Sequence, residues 1–480
     1  MKGLAGRGHQ VDVVSRFPQK KPYPNYTDIG LSNSISLTVN NLSYSQWGKM
    51  RDNLIDFCVN VAGNNLCETG LDSPEIQKLI RNPPNDPPYD LVIVEVLCAN
   101  CFIAFGQHLK VPVIGMSSCV MYPFNHDVVA NPENLAFVPN NLMGHRKNMN
   151  LWNRLYNVVN TIYAKVYYNY YTSIQTDMIR KHFGPNMPTV HELEKSIALV
   201  LVNSHFSLNG VRPNTPAHIE VGGLHIQDDH TEIPVEHKKW LDDSEDGFVY
   251  FTFGSMVTIE TLPRNILDNI FKSLRKISPI RVFMKVPRPE LLPPGVPENI
   301  RTFDWIPQLK VLKHKNILAF FTHGGLMSTQ EAIHCGVPMI GVPLFGDQFL
   351  NIERYVHRKL AIRVDFDNLS QETLDAAFHE ILNNPIYRET VKNASRKFLD
   401  RPLSAMDTAC YWVEYILRHG SNALRSPALD MTWWQLALLD VYCILLIAGI
   451  VMLFILCKLI QCFIQMLNHS SIISRTKKHN

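Results

Sequence analysis

Short apolar runs rich in β-branched residues recur along the chain, and amphipathic stretches separate them. In the first half these runs lie at residues 11–15, 90–96, 111–116 and 197–202. Strands of a parallel sheet that is covered by helices on both faces have this nearly continuous apolar character. The pattern therefore predicts an α/β domain with a parallel sheet, which we place at residues 1–225.

The same pattern starts again after a Gly-Gly pair and a polar stretch. Apolar runs follow at residues 247–253, 280–285, 300–303, 317–321 and 338–342. Two such units in series predict two doubly wound, Rossmann-like domains that face each other across a cleft. We place the second domain at residues 226–400.

A tyrosine-rich stretch at residues 125–171 interrupts the first domain and is predicted to be helical toward its end. Its tyrosines are residues 156, 163, 167, 168, 170 and 171. They either face a substrate or, as we expect, form the half-buried face of a helix.

The C-terminal region contains an uncharged apolar run of seventeen residues, 441–457. With two tryptophans and the apolar residues before it, the stretch extends over 433–457, and about 20 apolar residues suffice to cross a bilayer. Tryptophans at one end and Lys458 at the other are typical of membrane interfaces. We therefore predict a transmembrane helix at 433–457, joined to the body by a helix and juxtamembrane segment at 401–432. A buried core helix is the alternative, but no domain follows that could bury it.

The charge distribution predicts the orientation of this helix. The chain holds 46 Lys and Arg against 43 Asp and Glu, and residues 458–480 hold four of the basic residues and none of the acidic ones. By the positive-inside rule this basic tail is cytoplasmic and the body is luminal. The nearly neutral body gives no basic surface for nucleic acid. Glycosylation sequons are compatible with a luminal body, and they lie at Asn25, Asn41, Asn368 and Asn393.

The ten cysteines are scattered along the chain. Cys98 and Cys101 form a lone C-x-x-C without a second pair or nearby histidines, so we expect buried thiols and no metal site. Cys58 and Cys67 could form a disulfide in an oxidising lumen, although the sequence alone does not establish the pairing.

Residues 317–348 carry most of the candidate chemistry. Their sequence predicts a buried strand, a His-Gly-Gly turn and a helix. A glycine-rich turn that opens a helix at the carboxyl end of a strand binds anions, because free N–H groups and the helix dipole point to one spot. There His323 could donate to a pyrophosphate, and Glu331 could accept bonds from sugar hydroxyls. Asp347 and Gln348 could hold a second sugar. An ordinary strand–turn–helix with a surface glutamate would explain each feature alone.

Two upstream segments also follow strands of the second domain. Gly254 and Ser255 end one strand and suit contact with a phosphate. Trp305 and Gln308 follow another strand, where an indole face can stack on a base and an amide can bond the base edge. A tryptophan before a proline is more often part of a core. Taken together, these groups predict a site for a ligand with a base, a ribose, a diphosphate and a sugar.

Three segments, FTFGSM, DWIPQL and FTHGGLMSTQEAIHCGVPMIGVPLFGDQ, resemble the membrane-bound UDP-glycosyltransferases. The third segment resembles the signature of that family, and its HGGLMST portion is similar to the insect members. The resemblance runs from the RGH at residues 7–9 to the C-terminal span. It implies a GT-B fold with an N-terminal acceptor domain and a C-terminal UDP-sugar domain. It also implies inverting, metal-independent transfer of a hexose to hydroxyl groups of small lipophilic acceptors, with the UDP-sugar as co-substrate and no cofactor.

The resemblance also assigns the site residues. Those that bind UDP are Gly254, Ser255, Trp305, Gln308, His323, Gly324, Gly325, Ser328 and Glu331, and those that bind the sugar are Asp347 and Gln348. The terminal KKHN resembles a dilysine retrieval signal, which implies the endoplasmic reticulum membrane.

The N-terminus departs from the family. In members of the family, the general-base histidine lies on the loop after the first strand, before the helix that leads to RGH. This chain begins within that helix, so the leader, the first strand and the base are expected to be absent, and His9 belongs to the RGH turn. An incomplete gene model or a truncated isoform would explain this. Glu95 aligns with the acid that orients the base, although a carboxylate near a helix N-terminus is the alternative. Loss of a central strand would leave both neighbours unpaired along one edge and destabilise the domain.

Two further expectations concern the donor and the partners. Glucuronate usually requires a cationic partner, whereas Asn203 occupies the region where vertebrate glucuronosyl members carry Arg, so UDP-glucose or another UDP-hexose is predicted. The alternative function is a membrane-anchored, UDP-sugar-binding subunit that lacks the base and pairs with full-length relatives. A homo- or hetero-oligomer is compatible with either role.

Overall fold

The computed structural model describes residues 1–31, 39–142, 149–227 and 231–476. It divides into two compact units, Met1–Arg425 and Ser426–Asn480. The terminal KKHN sequence lies outside the described residues.

Twelve strands occur in the described part of the chain. They are β1 (Val11–Ser15), β2 (Tyr26–Gly30), β3 (Val92–Glu95), β4 (Val113–Ser117), β5 (Ile197–Val202), β6 (His218–Glu220), β7 (Phe248–Thr252), β8 (Arg281–Lys285), β9 (Ile300–Phe303), β10 (Ile317–Thr322), β11 (Met339–Gly341) and β12 (Ala361–Arg363).

The helices cover both faces of the sheets. Those of the first half are α1 (Lys2–Gly6), α2 (Tyr44–Asp52), α3 (Leu54–Asp56), α4 (Asn65–Leu71), α5 (Pro74–Arg81), α6 (Ala104–Leu109), α7 (Pro123–His126), α8 (Leu151–Thr172), α9 (Gln175–Phe183), α10 (Val190–Glu194) and α11 (Phe206–Asn209). Those of the second half are α12 (Val235–Asp242), α13 (Arg264–Lys276), α14 (Gln308–Leu312), α15 (Leu326–His334), α16 (Gln348–His357), α17 (Gln371–Asn383), α18 (Pro385–Leu399), α19 (Ala405–His419), α20 (Trp433–Leu436) and α21 (Leu439–Thr476). A π-helical segment, Phe57–Asn64, joins α3 to α4.

The second half forms one six-stranded sheet in the order β12-β11-β10-β7-β8-β9, with every pairing parallel. Its central strand β7 is buried at every position, as expected for a sheet with helices on both faces. Neighbouring aromatic rings stack across β7 and β10, with centroids 5.2 Å apart for Tyr250–Phe320 and 4.1 Å for Phe251–Phe321. Because all strands run in one direction, their carboxyl ends lie along a single edge, where ligands bind in such sheets.

The first half contains two separate parallel sheets, β1-β2 and β3-β4-β5-β6. In the part of the chain that the structure describes, β1 pairs with β2 alone and β3 with β4 alone. The N–H groups of Val11 and Val92 point to these partners, so those of Asp12 and Ile93 point to open edges.

The two open edges face a common core. Val11 of β1 and Ile93 of β3 pack against one hydrophobic cluster, and the Tyr89 hydroxyl donates to Asp12 Oδ2 at 2.6 Å. All residues of β3 are at least partly exposed, whereas β5 is buried throughout.

A disulfide joins Cys67 to Cys101 over a sequence separation of 34 residues. The proposed Cys58–Cys67 pair is therefore wrong. Cys67 and Cys101 lie in the core of the sheet, whereas Cys58 packs in a separate cluster beside Cys98. The expectation of buried thiols holds for Cys98 but not for Cys101, which is in the disulfide.

Removal of this disulfide by Cys67→Ser with Cys101→Ser should lower the free energy of unfolding by about 2–5 kcal/mol, because the unfolded chain regains the entropy of an open loop. Thermal unfolding with and without a reductant measures the effect. Reductant should lower the unfolding temperature of the parent and not that of the double variant. Equal responses of both proteins would contradict the pairing.

The second unit contains α20 and α21. The segment Leu439–Leu467 is long and apolar enough to cross a membrane. Its mean hydropathy is 2.9, and its most apolar part is not buried against other residues. Helix α21 begins after Leu438, whose φ of 54° separates it from α20. The two tryptophans therefore lie on the short helix α20, before the apolar segment. Lys458 lies inside α21 rather than at its end.

Candidate active site

The turn after β10 has the geometry of an anion site. Gly324 has a φ of 90°, and a Cβ there would lie 2.5 Å from Ile352 Cγ1, so only glycine fits. Thr322 Oγ1 accepts from the Gly324 N–H at 3.2 Å and holds the turn. α15 begins directly afterwards, and no side chain caps its N-terminus in the described structure. Its first N–H groups are thus available to an anion. Ser328 lies half-buried in the same first turn.

The ring of His323 fits between two glycines. A Cβ at Gly254 would lie 2.6 Å from its Cε1, and one at Gly325 would lie 2.8 Å from its Nε2. Burial, and then the charge of Lys285, lower the pKa of His323 to about 4. The imidazole is therefore neutral at physiological pH, with one N–H to donate. Its buried Nδ1 has no hydrogen-bond partner among the described residues.

Lys285 is a buried cation that the sequence analysis missed. Its Nζ donates to the Gly254 carbonyl at 2.6 Å and to Asn40 Oδ1 at 2.7 Å, and it lies 5.4 Å from the centre of the Trp305 ring. Burial lowers its pKa to about 8. It follows three buried apolar residues at the end of β8, so the only signal in the sequence was a lysine at the carboxyl end of a mostly buried strand.

A segment of the first half packs on this side of the site. The Asn40 N–H donates to the Ser255 carbonyl at 2.9 Å, and the Leu42 N–H donates to the Met256 carbonyl at 3.0 Å. Trp47 is buried in the core of the second half, against Phe366. These contacts fix Asn40 beside Lys285 and leave the Ser255 side chain exposed.

Trp305, Gln308 and Glu331 form the next part of the site. Trp305 is 60% exposed, so it is not a core residue, and Lys285 lies over one face of its ring. Gln308 Nε2 donates to Glu331 Oε2 at 2.6 Å, and the Tyr250 hydroxyl donates to Gln308 Oε1 at 3.3 Å. Burial raises the pKa of Glu331. The carboxylate is therefore half-buried within the site rather than on the open surface.

Asp347 and Gln348 begin α16 at the same edge. Gln348 Oε1 accepts from the N–H groups of Leu344 and Phe345 at 2.9 and 3.0 Å, which holds the preceding loop. Burial raises the pKa of Asp347. Asn351, which the sequence analysis missed, donates to Asp347 Oδ2 at 2.8 Å and to the Gly324 carbonyl at 3.1 Å. It connects the carboxylate to the glycine turn.

Glu95 lies at the carboxyl end of β3, on the first half. It is exposed and accepts a short hydrogen bond from the Ser118 hydroxyl. Burial, and then the charge of Asp347, raise the pKa of Cys119 to about 12, with a smaller contribution from Glu95. The two carboxylates thus lie within electrostatic reach of one thiol.

Comparison with known proteins identifies the family and the fold of the chain. The family profile described as "UDP-glucoronosyl and UDP-glucosyl transferase" matches residues 61–472. UDP-glucosyltransferase 2 of Dactylopius coccus is 33% identical over 100% of this chain and 92% of its own length. UDP-glucuronosyltransferase 2B14 of Oryctolagus cuniculus is 30% identical over 82% of this chain and 73% of its own length. A solved structure of the glycotransferase of kitacinnamycin aligns with a TM-score of 0.56 at 17% identity, over 87% of this chain and 94% of that chain.

The fold and the family match define a glycosyltransferase with the GT-B fold and parallel sheets in an α/β arrangement. The chain belongs to the UDP-glucuronosyl and UDP-glucosyl transferase family. The predicted resemblance and fold class are confirmed, and so is one candidate transmembrane helix at the C-terminal end.

Proposed function

We propose that the protein transfers a hexose, by preference glucose, from a UDP-sugar to a hydroxyl group of a small lipophilic acceptor. The observation that carries this proposal is the convergence of the glycine turn, His323, Lys285, Trp305 and the Gln308–Glu331 pair at one edge of a parallel sheet. A cation, free N–H groups and an exposed aromatic ring suit the diphosphate and the base of UDP.

The proposed reaction is a direct displacement without a metal ion. The acceptor oxygen forms a bond to the anomeric carbon while the bond from that carbon to the UDP oxygen breaks, so the configuration inverts. Lys285, His323 and the N-terminus of α15 stabilise the charge that develops on the departing diphosphate. Asp347 and Gln348 hold the sugar hydroxyls. The proton of the acceptor goes to a general base, and we assign Glu95 the role of orienting that base, as the family resemblance implies.

Formation of a glycoside of inverted configuration from a UDP-hexose and a phenolic acceptor tests this function. Asp347→Ala should abolish product while UDP still binds, because the sugar loses its carboxylate partner and the uridine contacts remain. Asp365→Ala, at a carboxylate outside the site, provides a control. Retention of configuration in the product would contradict direct displacement.

We expect UDP-glucose to be used in preference to UDP-glucuronate. Asn203 is buried and donates to the Ser118 carbonyl at 2.9 Å, while its own Oδ1 accepts from the Gly223 N–H at 3.3 Å. A neutral side chain with both ends engaged offers no charge to a glucuronate carboxylate. Turnover of both donors at equal concentration measures the preference, and faster turnover of UDP-glucuronate would refute it.

We also propose residence in the endoplasmic reticulum membrane, with the body luminal and the tail cytoplasmic. The disulfide supports an oxidising compartment. All four sequon asparagines are exposed, as glycosylation requires. Loss of glycan mass when each asparagine is replaced by Gln, measured on protein from the secretory pathway, tests the luminal assignment.

A second candidate function is a UDP-sugar-binding subunit without its own turnover. The open edges of β1 and β3, beside Glu95, favour it because they lie where the base-bearing strand of the family is expected. UDP binding without glycoside formation at high protein concentration, together with an altered rate of a co-expressed full-length relative, would support this role. Glycoside formation by the purified chain alone would exclude it.

A further inference from the structure

Helix α8 presents its polar side to the protein and its apolar side to the exterior. Most of its buried side chains are polar or small. The buried residues are Asn157, Thr161, Ala164, Tyr168 and Thr172. They recur every three or four positions and therefore occupy one face. A helix that packs on a soluble body normally has the opposite arrangement, with its apolar stripe inward.

Hydrogen bonds fix this orientation. Asn157 Nδ2 donates to the carbonyls of Leu135 and Val138 at 3.0 and 2.9 Å. The Tyr168 hydroxyl donates to Glu194 Oε1 at 2.6 Å. Rotation of the helix to bury its apolar side would leave these buried polar groups without partners, which is unfavourable.

The outward face is large and continuous. Its exposed fractions are 73% for Trp152, 51% for Leu155, 57% for Tyr156, 57% for Val159, 56% for Ile162, 55% for Tyr163, 62% for Val166 and 72% for Tyr170. At about 1.5 Å per residue the stripe is roughly 27 Å long. Contiguous apolar patches of this kind mark interaction surfaces.

We propose that the outward face of α8 lies on a lipid bilayer, at the boundary between headgroups and acyl chains. Tryptophan and tyrosine alternate with Leu, Val and Ile along it, which is the composition of interfacial helices. The 22-residue helix holds Arg154 and Lys165 and no acidic residue, so its own charges do not oppose anionic headgroups. This surface is independent of the nucleotide site and of the function proposed for it.

The chain itself supplies the reason for a bilayer as the partner. The apolar segment Leu439–Leu467 is covalently joined to the body, so a protein anchored by that segment is always near a bilayer surface. A tether of this kind raises the effective concentration of the second contact. A weak interfacial helix is then sufficient for stable contact.

Photoreactive phospholipids test the proposal on the full chain. The protein is reconstituted into vesicles of phosphatidylcholine and phosphatidylserine that contain a phosphatidylcholine with a diazirine near its glycerol end, and cross-linked peptides are mapped by mass spectrometry. We expect cross-links in residues 151–172 several-fold above those at Val211 and Val235, which are isolated exposed side chains at 80% and 85% exposure. Cross-links in α21 serve as the internal reference.

A triple variant, Val159→Gln with Ile162→Gln and Val166→Gln, provides the matched test. All three side chains are exposed, so the unfolding temperature should be unchanged while lipid cross-links in α8 fall several-fold relative to α21. Val235→Gln should change neither the unfolding temperature nor the lipid cross-links in α8. Lipid cross-links in α8 at the level of Val235 would overturn the proposal. So would α8-to-α8 protein cross-links in place of lipid cross-links, since they would assign the face to a second copy of the chain.

Discussion

Replacement of Lys285 by Met should weaken UDP binding about ten- to a hundredfold. Lys285 is the buried cation beside the glycine turn, with Nζ 2.6 Å from the Gly254 carbonyl. Hydrogen bonds to charged groups contribute about 1.5–3 kcal/mol, which corresponds to this range of affinity. Titration calorimetry with UDP measures the change. Lys276→Met, at an exposed lysine of the same half that pairs with Asp375, should leave the affinity within a factor of about two.

The pH dependence of binding provides a second readout of the same residue. Because the pKa of Lys285 is lowered to about 8, the cation is present at neutral pH and is lost as the pH rises above this value. UDP affinity should therefore fall between pH 7 and pH 9, and the fall should be absent in Lys285→Met. His323 does not contribute in this range, since its pKa is lowered to about 4. An unchanged slope in the variant would assign the titration to another group.

The apolar pattern was sufficient to place most strands. β1, β5 and β9 have the predicted bounds, and the other long runs differ by a few residues at their ends. Strands β2, β6 and β12 were not predicted because they are short or polar, as in the His-Ile-Glu of β6. Such strands are specified by pairing with a neighbour rather than by their own burial, so a local pattern does not detect them.

The grouping of the candidate site residues could be predicted in part, because the carboxyl ends of parallel strands lie along one edge of the sheet. This rule brought together Gly254, Trp305, His323 and Asp347 from four separate loops. Lys285 and Asn351 were not predicted because their roles depend on neighbours distant in sequence. Asn351 matters through its bond to the Gly324 carbonyl, and no spacing within the helix reveals that contact.

The prediction for the tyrosine-rich helix was wrong for most of its tyrosines. Tyr168 is buried, but Tyr156, Tyr163 and Tyr170 are more than half exposed. Spacing correctly indicates that Tyr156, Tyr163 and Tyr170 share a face of α8. It does not indicate which face meets the body, because here hydrogen bonds from Asn157 and Tyr168, rather than apolar burial, decide the orientation.

An added strand before Met1 should have the largest effect on activity. The open N–H and C=O groups of β1 and β3 can pair with a parallel strand between them, and the loop after such a strand would end near Glu95. If that loop carries a histidine, as the family resemblance implies, a general base is supplied beside its orienting acid. General-base catalysis typically contributes about 10²–10⁴-fold in rate, so turnover of a UDP-hexose should rise by this factor over the chain without the extension.

Two matched extensions separate the structural from the catalytic effect. In the first, the histidine of the added loop is replaced by Ala; the unfolding temperature should still rise because both edges are paired, but the rate should remain low. In the second, a proline at the centre of the added strand should remove both effects, because proline cannot complete the pairing. Equal turnover with and without the histidine would show that the base is another residue. An unchanged unfolding temperature would show that β1 and β3 do not accept the strand.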